Sequence, residues 1–236
     1  MRRALLITAF DRPHYLRPVV EAWRRVPGLE NWHVRAAVEP GPLQDEVAEL
    51  LRELPGARVV VNEERLGVSR NPHRHLDALF AEGFDFVART EDDLLVADDV
   101  LALLEHCSRA FRDAADVAAV CAYSPAAAGA DPAAVHRTAA FSPWLWGTWR
   151  ARWTDLIGPT WDLDYSTWNG SPGFESGWDW NLNTRVLPAH GLTTVAPLAS
   201  RVQNIGVVGQ HGTPSNHETA ASFRPSFGRP AYRYVE

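Results

Sequence analysis

The chain has no lysine, so all 23 of its basic side chains other than histidine are arginine. Against 29 acidic residues they leave a formal net charge of -6, and no basic face is available to neutralise nucleic-acid phosphates. A nucleic-acid partner is therefore not expected. Long apolar runs are absent too. None approaches the roughly 20 residues needed to cross a bilayer, so no membrane span is expected. The stretch Ala4-Leu5-Leu6-Ile7 behind Met1 is too short for a signal-peptide core and lacks a small-residue cleavage site, which makes the cytoplasm the expected compartment. Cysteine is scarce. Cys107 falls in a helical pattern and Cys121 in a strand pattern, both among apolar neighbours, and they read as reduced core residues, not as a disulfide or a metal pair. No repeat or long polar linker divides the 236 residues, so one domain is expected.

What is present in the first half is an alternation of short apolar runs with amphipathic stretches. Strands are expected at 4–10, 33–38, 58–61, 84–90 and 117–122. Helices are expected at about 13–25, 43–54, 68–81 and 98–111, with Pro13 and Pro42 suiting first-turn positions. The pattern is that of an α/β fold, a Rossmann-like, mostly parallel sheet flanked by helices. A small-residue loop, 124–131, separates it from a Trp-rich half: eight of the ten tryptophans lie between Trp144 and Trp180. Most of these read as a second core layer, while one or two could stack on a sugar ring. A last strand at 193–197 precedes a tail, 200–236, rich in Gly, Pro, Ser and His, which reads as a frayed terminus or a mobile lid.

The strongest local signal is Phe84-Asp85-Phe86-Val87-Ala88-Arg89-Thr90-Glu91-Asp92-Asp93-Leu94. A buried parallel strand ends there in three acids, which places carboxylates at the C-terminal edge of the sheet, where open α/β sheets bind ligands. Clustered carboxylates repel unless a cation joins them, and hard oxygen ligands suit Mg²⁺ or Mn²⁺. The alternative reading is a solvated turn whose Asp98 or Asp99 caps the next helix.

From Leu5 to Asp99 the chain resembles the nucleotide-binding half of the GT-A glycosyltransferases, most closely the N-acetylglucosaminyltransferase I family. The pieces that carry the resemblance are Ile7-Thr8-Ala9-Phe10-Asp11-Arg12 after the first strand, Glu39 at the end of the second, Ser69-Arg70-Asn71-Pro72-His73-Arg74 opening a helix, and the acidic turn with Leu94-Leu95-Val96-Ala97-Asp98. It continues into the second half. Phe141-Ser142-Pro143-Trp144-Leu145-Trp146-Gly147-Thr148-Trp149 is similar to the acceptor-side loop, and Gly177-Trp178-Asp179-Trp180 to the segment carrying the catalytic base. The run Ser200-Arg201-Val202-Gln203-Asn204-Ile205-Gly206 with Gly209-Gln210-His211-Gly212 is similar to the loop that closes over the donor.

The resemblance implies a nucleotide-sugar-binding half at 1–99, an acceptor-side half at 100–199 and a mobile loop and tail at 200–236. It makes Asp93 the direct metal ligand, with Glu91 and Asp92 on sugar or ribose hydroxyls. Thr8, Phe10, Arg12 and Glu39 would hold the nucleotide, Glu39 by accepting the imide N–H of uracil. Arg70 and Arg74 lie one helical turn apart and could both face a diphosphate. His211 could join the metal or be a solvent-exposed loop residue. Asp179 is the expected general base, because partial desolvation among Trp178, Trp180 and Phe174 would raise its pKa. Its alternative is a helix N-cap, a place Ser176 could equally take, and Glu175 is the reserve base. His73, His75 and His217 enter no constellation.

The expected protein is thus a divalent-metal-dependent glycosyltransferase. It would move a sugar from a nucleoside diphosphate, UDP favoured, to an acceptor hydroxyl, and a single base suits one inverting displacement. The competing readings are nucleotidyl transfer, disfavoured because no Gly-rich phosphate loop follows the first strand, and a non-catalytic sugar- or nucleotide-binding module. Two departures from the family stand out: no anchor or stem is recognisable, and Arg89 and Thr90 put polar groups into a strand that is usually apolar.

Overall fold

The structure, a computed structural model, describes residues 1–163, 177–207 and 221–236. Glu175, Ser176, His211 and His217, which the sequence analysis named, lie outside the described residues.

Four strands and the helices between them build the first half: β1 (Arg3–Ala9), α1 (Pro13–Arg24), β2 (His33–Val38), α2 (Gln44–Arg52), β3 (Arg58–Val61), α3 (Gly67–Ala81) and β4 (Phe86–Glu91). Each expected element forms within about two residues of its expected ends. Residues 4–9 of β1 and 34–38 of β2 are all buried, as strands covered on both faces must be. β1 pairs in parallel with β2 and with β4, and β2 with β3. All four strands therefore end on one edge of the sheet.

Further on come β5 (Leu94–Val96), α4 (Val100–Ala110), β6 (Val117–Cys121), β7 (Ala134–Thr138) and β8 (Trp146–Trp149). The Trp-rich half continues through α5 (Arg150–Arg152) and a π-helical turn to Ile157. Then follow α6 (Trp178–Asn181), a second π turn, α7 (Leu187–Ala189), β9 (Thr193–Pro197), β10 (Val202–Asn204) and β11 (Arg233–Val235). Among the described residues nine strands make one sheet in the order β11-β7-β9-β6-β8-β4-β1-β2-β3. The sequence analysis expected no strand between 122 and 193, yet β8 forms there and lies between β4 and β6, antiparallel to both. Its tetrapeptide Trp-Gly-Thr-Trp lacks the apolar-polar alternation of a half-buried strand, because all four residues are buried.

The sheet separates two apolar layers. Leu16, Val19 and Trp23 of α1, Leu51 of α2 and Leu101 and Leu104 of α4 fill one. Leu76, Leu79 and Phe80 of α3 fill the other with Trp146, Trp153, Trp161 and Trp178. Trp161 and Trp178 stack with centroids 4.3 Å apart and planes 5° from parallel. Most of the tryptophans are therefore core, each burying an aromatic payload worth up to about 3 kcal/mol. Cys107 and Cys121 are buried free thiols, and burial pushes both up, to about 12 and about 11.

The beginning of the presumed tail is packed. Ser200 and Arg201 are fully buried, β10 pairs antiparallel with β5, and β11 extends the main sheet beside β7. Asp99 stands at the N-cap of α4 without making a capping bond. Both its oxygens accept from Arg201 Nε, at 2.9 and 3.0 Å, and one also accepts from the Tyr232 hydroxyl. The expected acid cap is thus replaced by an ion pair that ties residues 201 and 232 to the start of α4. Among the described residues no helix is long and apolar enough to cross a membrane.

Candidate functional site

The ends of β1, β2 and β4 open onto a cleft of about 580 Å³. Its lining brings together Thr8, Phe10, Arg12, Glu39, Glu91, Asp92, Asp93 and Asp179, residues drawn from both halves of the chain. The register explains the grouping, since Thr8 pairs with Glu91 and the two strands finish side by side.

Asp92 and Asp93 are buried, with 3% and 6% of their surface exposed. Asp92 Oδ2 accepts from the Phe10 backbone N–H at 3.0 Å, and Oδ1 is paired with Arg12. Arg12 Nη1 also reaches Asp93 Oδ2 at 2.9 Å. Burial opposes the charge of this guanidinium, but the two carboxylates outweigh it and raise its pKa further. Asp93 is pushed up to about 7, first by burial and then by the charges of Glu91 and Asp92, with Arg12 opposing. Asp93 Oδ1 is buried and has no hydrogen-bond partner among the described residues. Behind Asp93, its carbonyl accepts from Ile205 N at 2.9 Å. Gly206 lies so close that a Cβ there would overlap Asp93 Oδ2.

Glu91 is oriented from below. Arg89, 1% exposed in the middle of β4, pairs with Glu91 and donates to the Thr8 hydroxyl at 3.2 Å. Its guanidinium carbon lies 5.1 Å from the centre of the Trp178 ring. The polar residue in this strand is thus a buried ion pair seated on the tryptophan stack.

Asp179 stands in the first turn of α6, whose N-cap is Gly177. It is not the cap. Burial raises its pKa and Glu91 adds to the rise, against the backbone N–H of Trp180 and the charge of Arg89. Three of the eight clustered tryptophans, Trp144, Trp178 and Trp180, line the cleft beside it; Trp178 is buried and Trp180 is 39% exposed.

Glu39 lines the cleft with its carboxylate already engaged, whereas Arg70 and Arg74 lie outside it. Glu39 is 5% exposed, and its two oxygens accept from Leu66 N and Gly67 N, each at 2.9 Å. Arg70 and Arg74 are exposed. Neither lines the main cleft, and Arg70 borders a separate hollow with Glu64 and Leu163. Besides Arg12 and Arg89, the arginine that lines the cleft is Arg65, packed 4.4 Å over the Phe10 ring. Helical spacing put Arg70 and Arg74 on one face but could not say which way that face turns. Arg65 belongs to the irregular loop before α3, where no periodicity marks it. Asn71, Asn204 and Gly206 also line the cleft and were given no role.

Among the described residues no three His, Cys, Asp or Glu side chains converge as a ready-made metal cage. The unpartnered Asp93 oxygen still fits Mg²⁺ or Mn²⁺ bound through one or two carboxylates, with substrate phosphates and water completing the shell.

Together these features define an α/β protein of GT-A-like fold, with a carboxylate-lined cleft at the C-terminal edge of its parallel strands. The fold is shared with S. aureus TarS.

 The solved structure of TarS 1-349 in complex with UDP-GlcNAc superposes with a TM-score of 0.55 at 11% identity, over 84% of this chain and 55% of that one. A second crystal structure of TarS 1-349 gives 0.54 at 12% identity, over 84% and 57%. This chain thus spans little more than half the length of TarS 1-349. A cytidylyltransferase from Leptospira borgpetersenii serovar Hardjo-bovis matches at 16% identity over 73% of this chain and 70% of that one, with a TM-score of 0.46, too low to carry an argument. No protein-family model and no curated protein matches the sequence. At these identities the likeness reaches the fold and not the N-acetylglucosaminyltransferase I family.

Proposed function

We propose that this protein is a glycosyltransferase that moves a sugar from a nucleoside diphosphate, UDP favoured, to an acceptor hydroxyl, with inversion at the anomeric carbon. The observation that carries the reading is one cleft holding both a buried carboxylate with an unpartnered oxygen, Asp93, and a second acid of raised pKa, Asp179. The fold likeness to TarS, whose structure holds UDP-GlcNAc, supports a nucleotide-sugar donor.

In this reading Asp93 holds a Mg²⁺ or Mn²⁺ ion, and His211 is a second candidate ligand. The ion, when bound, neutralises charge on the diphosphate leaving group. Asp92 is held by Arg12 and Phe10 N, which fixes the turn that presents Asp93. Glu91, steadied by Arg89, faces the cleft to accept from sugar hydroxyls. Asp179 takes the proton of the acceptor hydroxyl as its oxygen bonds to the anomeric carbon and the bond to the diphosphate breaks. Trp144 and Trp180 offer aromatic surface to the acceptor.

A thermal-shift screen of nucleoside diphosphate sugars, with and without Mn²⁺, tests this directly, since a ligand of the native state raises its stability by mass action. A cation-dependent rise with a UDP-sugar is expected. If no nucleoside diphosphate sugar raises the melting temperature with Mn²⁺ present, the reading is wrong.

A further inference from the structure

Three polar side chains beneath the cleft form one hydrogen-bonded line. His75 Nε2 lies 3.0 Å from Asn62 Oδ1, and Asn62 Nδ2 lies 3.0 Å from Asn71 Oδ1. They are 7%, 7% and 3% exposed. Only Asn71, at the far end, lines the cleft, together with Phe10, Glu39, Arg65 and Gly67.

The line has a direction. Burial, with Arg35 and Arg74 adding to it, lowers the His75 pKa to about 4, so the ring is neutral near pH 7. A carbonyl oxygen only accepts, so the ring nitrogen bonded to Asn62 Oδ1 carries the proton. Asn62 must then turn its NH₂ toward Asn71, and Asn71 must meet it with oxygen. The end left over is Asn71 Nδ2, a donor group with no partner among the described residues. Reversing one amide would set two donors or two acceptors against each other, a buried mismatch with a large penalty.

The position of this donor is equally defined. Asn62 N donates to Val38 O, and Glu39 accepts from the backbone N–H groups at the start of α3, so Asn71 stands at the ends of β2 and β3. The acidic turn ends β4, on the other side of β1. With strands about 4.8 Å apart, two to three spacings separate the ends. A nucleotide whose diphosphate lies at Asp93 would bring its base toward Asn71.

We propose that Asn71 reads the nucleobase through its fixed Nδ2 group and selects a base that presents a keto oxygen there over adenine, which has none. Asn62 and His75 are positioning residues that set which end of the Asn71 amide faces the ligand. The inference rests on the nucleotide-donor reading above.

The test is isothermal titration of UDP, CDP, GDP and ADP in the presence of Mn²⁺. The unmodified protein should bind at least one keto-bearing nucleotide ten-fold or more tighter than ADP. Asn62→Asp still accepts from His75 but has no NH₂, so the Asn71 amide should rotate to donate to it and present oxygen to the cleft. The preference over ADP should then fall ten-fold or more, although residue 62 touches no ligand. Asn71→Asp keeps the bond from Asn62 and loses the donor, and it reports the same loss if Asn62→Asp fails to fold. A preference over ADP that is unchanged in Asn71→Asp overturns the inference while leaving the donor reading standing. If the unmodified protein binds none of the four nucleotides, the donor reading falls and takes this inference with it.

Discussion

The Arg12 guanidinium bridges two buried carboxylates of one turn, with Nη1 2.9 Å from Asp93 Oδ2 and Nη2 on Asp92. It serves the acidic turn as an internal cation. The resemblance implied a nucleotide contact for Arg12; its contact with Asp92, 80 residues away, is tertiary and leaves no mark in the sequence.

Removing that cation by Arg12→Met strands two buried negative charges. Breaking a buried pair costs roughly 3 to 5 kcal/mol, and the lower end applies because Arg12 is partly exposed. A divalent ion at Asp93 would offset part of the loss. The expected outcome is a lowered melting temperature with a larger Mn²⁺-induced rise than in the unmodified protein. An equal Mn²⁺ response in the two proteins would count against a cation at Asp93.

How much of this was legible in the sequence depends on how local the determinant is. β1 to β4 and their helices follow from apolar runs and helical periodicity, both local signals, and the three acids at the end of β4 stand out for the same reason. The three-residue strands β5 and β10 were missed, being too short for any period to declare itself. Their pairing depends on residues more than 100 positions apart. The direction of Arg70 and Arg74 and the polar line from His75 to Asn71 likewise exist only once α3 is docked. His75 entered no constellation in the sequence because its partner, Asn62, looks like an ordinary residue at a strand end.

Asp179→Asn should leave donor binding intact and lower turnover roughly 10² to 10⁴-fold, the usual contribution of a general base. Since burial and Glu91 raise the Asp179 pKa, the acid limb of the pH–rate profile should lie above the range of an ordinary carboxylate. The check is single-turnover UDP release with the anomeric configuration of the product read by NMR. Wild-type turnover in the variant, or a retained configuration, would remove Asp179 from this role and the inverting mechanism with it.

Gly206→Ala is expected to act on the same carboxylate from behind. Its new methyl group would overlap Asp93 Oδ2, and Asp93 cannot retreat while its carbonyl accepts from Ile205 N. The carboxylate must shift or the loop after β10 must open. Weaker Mn²⁺ binding by titration calorimetry is expected, by ten-fold or more, with the circular dichroism spectrum unchanged. Unaltered Mn²⁺ affinity would show that this contact does not set the carboxylate.

The polar line under the cleft also has a signature in folding stability. The folded-state pKa of His75 is about 4, against an ordinary 6.5, because burial and the charges of Arg35 and Arg74 oppose protonation. Below pH 6.5 the unfolded chain takes up a proton at this position that the folded protein refuses until about pH 4. The stability His75 contributes is therefore full above pH 6.5 and is lost as the pH falls toward 4, a difference of about 3 kcal/mol for a shift of this size. Other groups titrate in the same window. His33, His106 and His136 are also lowered by burial, whereas Asp93 is raised and contributes with the opposite sign. Subtracting the urea-denaturation profile of His75→Gln, which retains a donor for Asn62, cancels those common terms. The difference between the two proteins should shrink or reverse between pH 6.5 and 4 and stay constant above pH 7. A difference that does not vary with pH would mean that His75 is not held neutral in the fold.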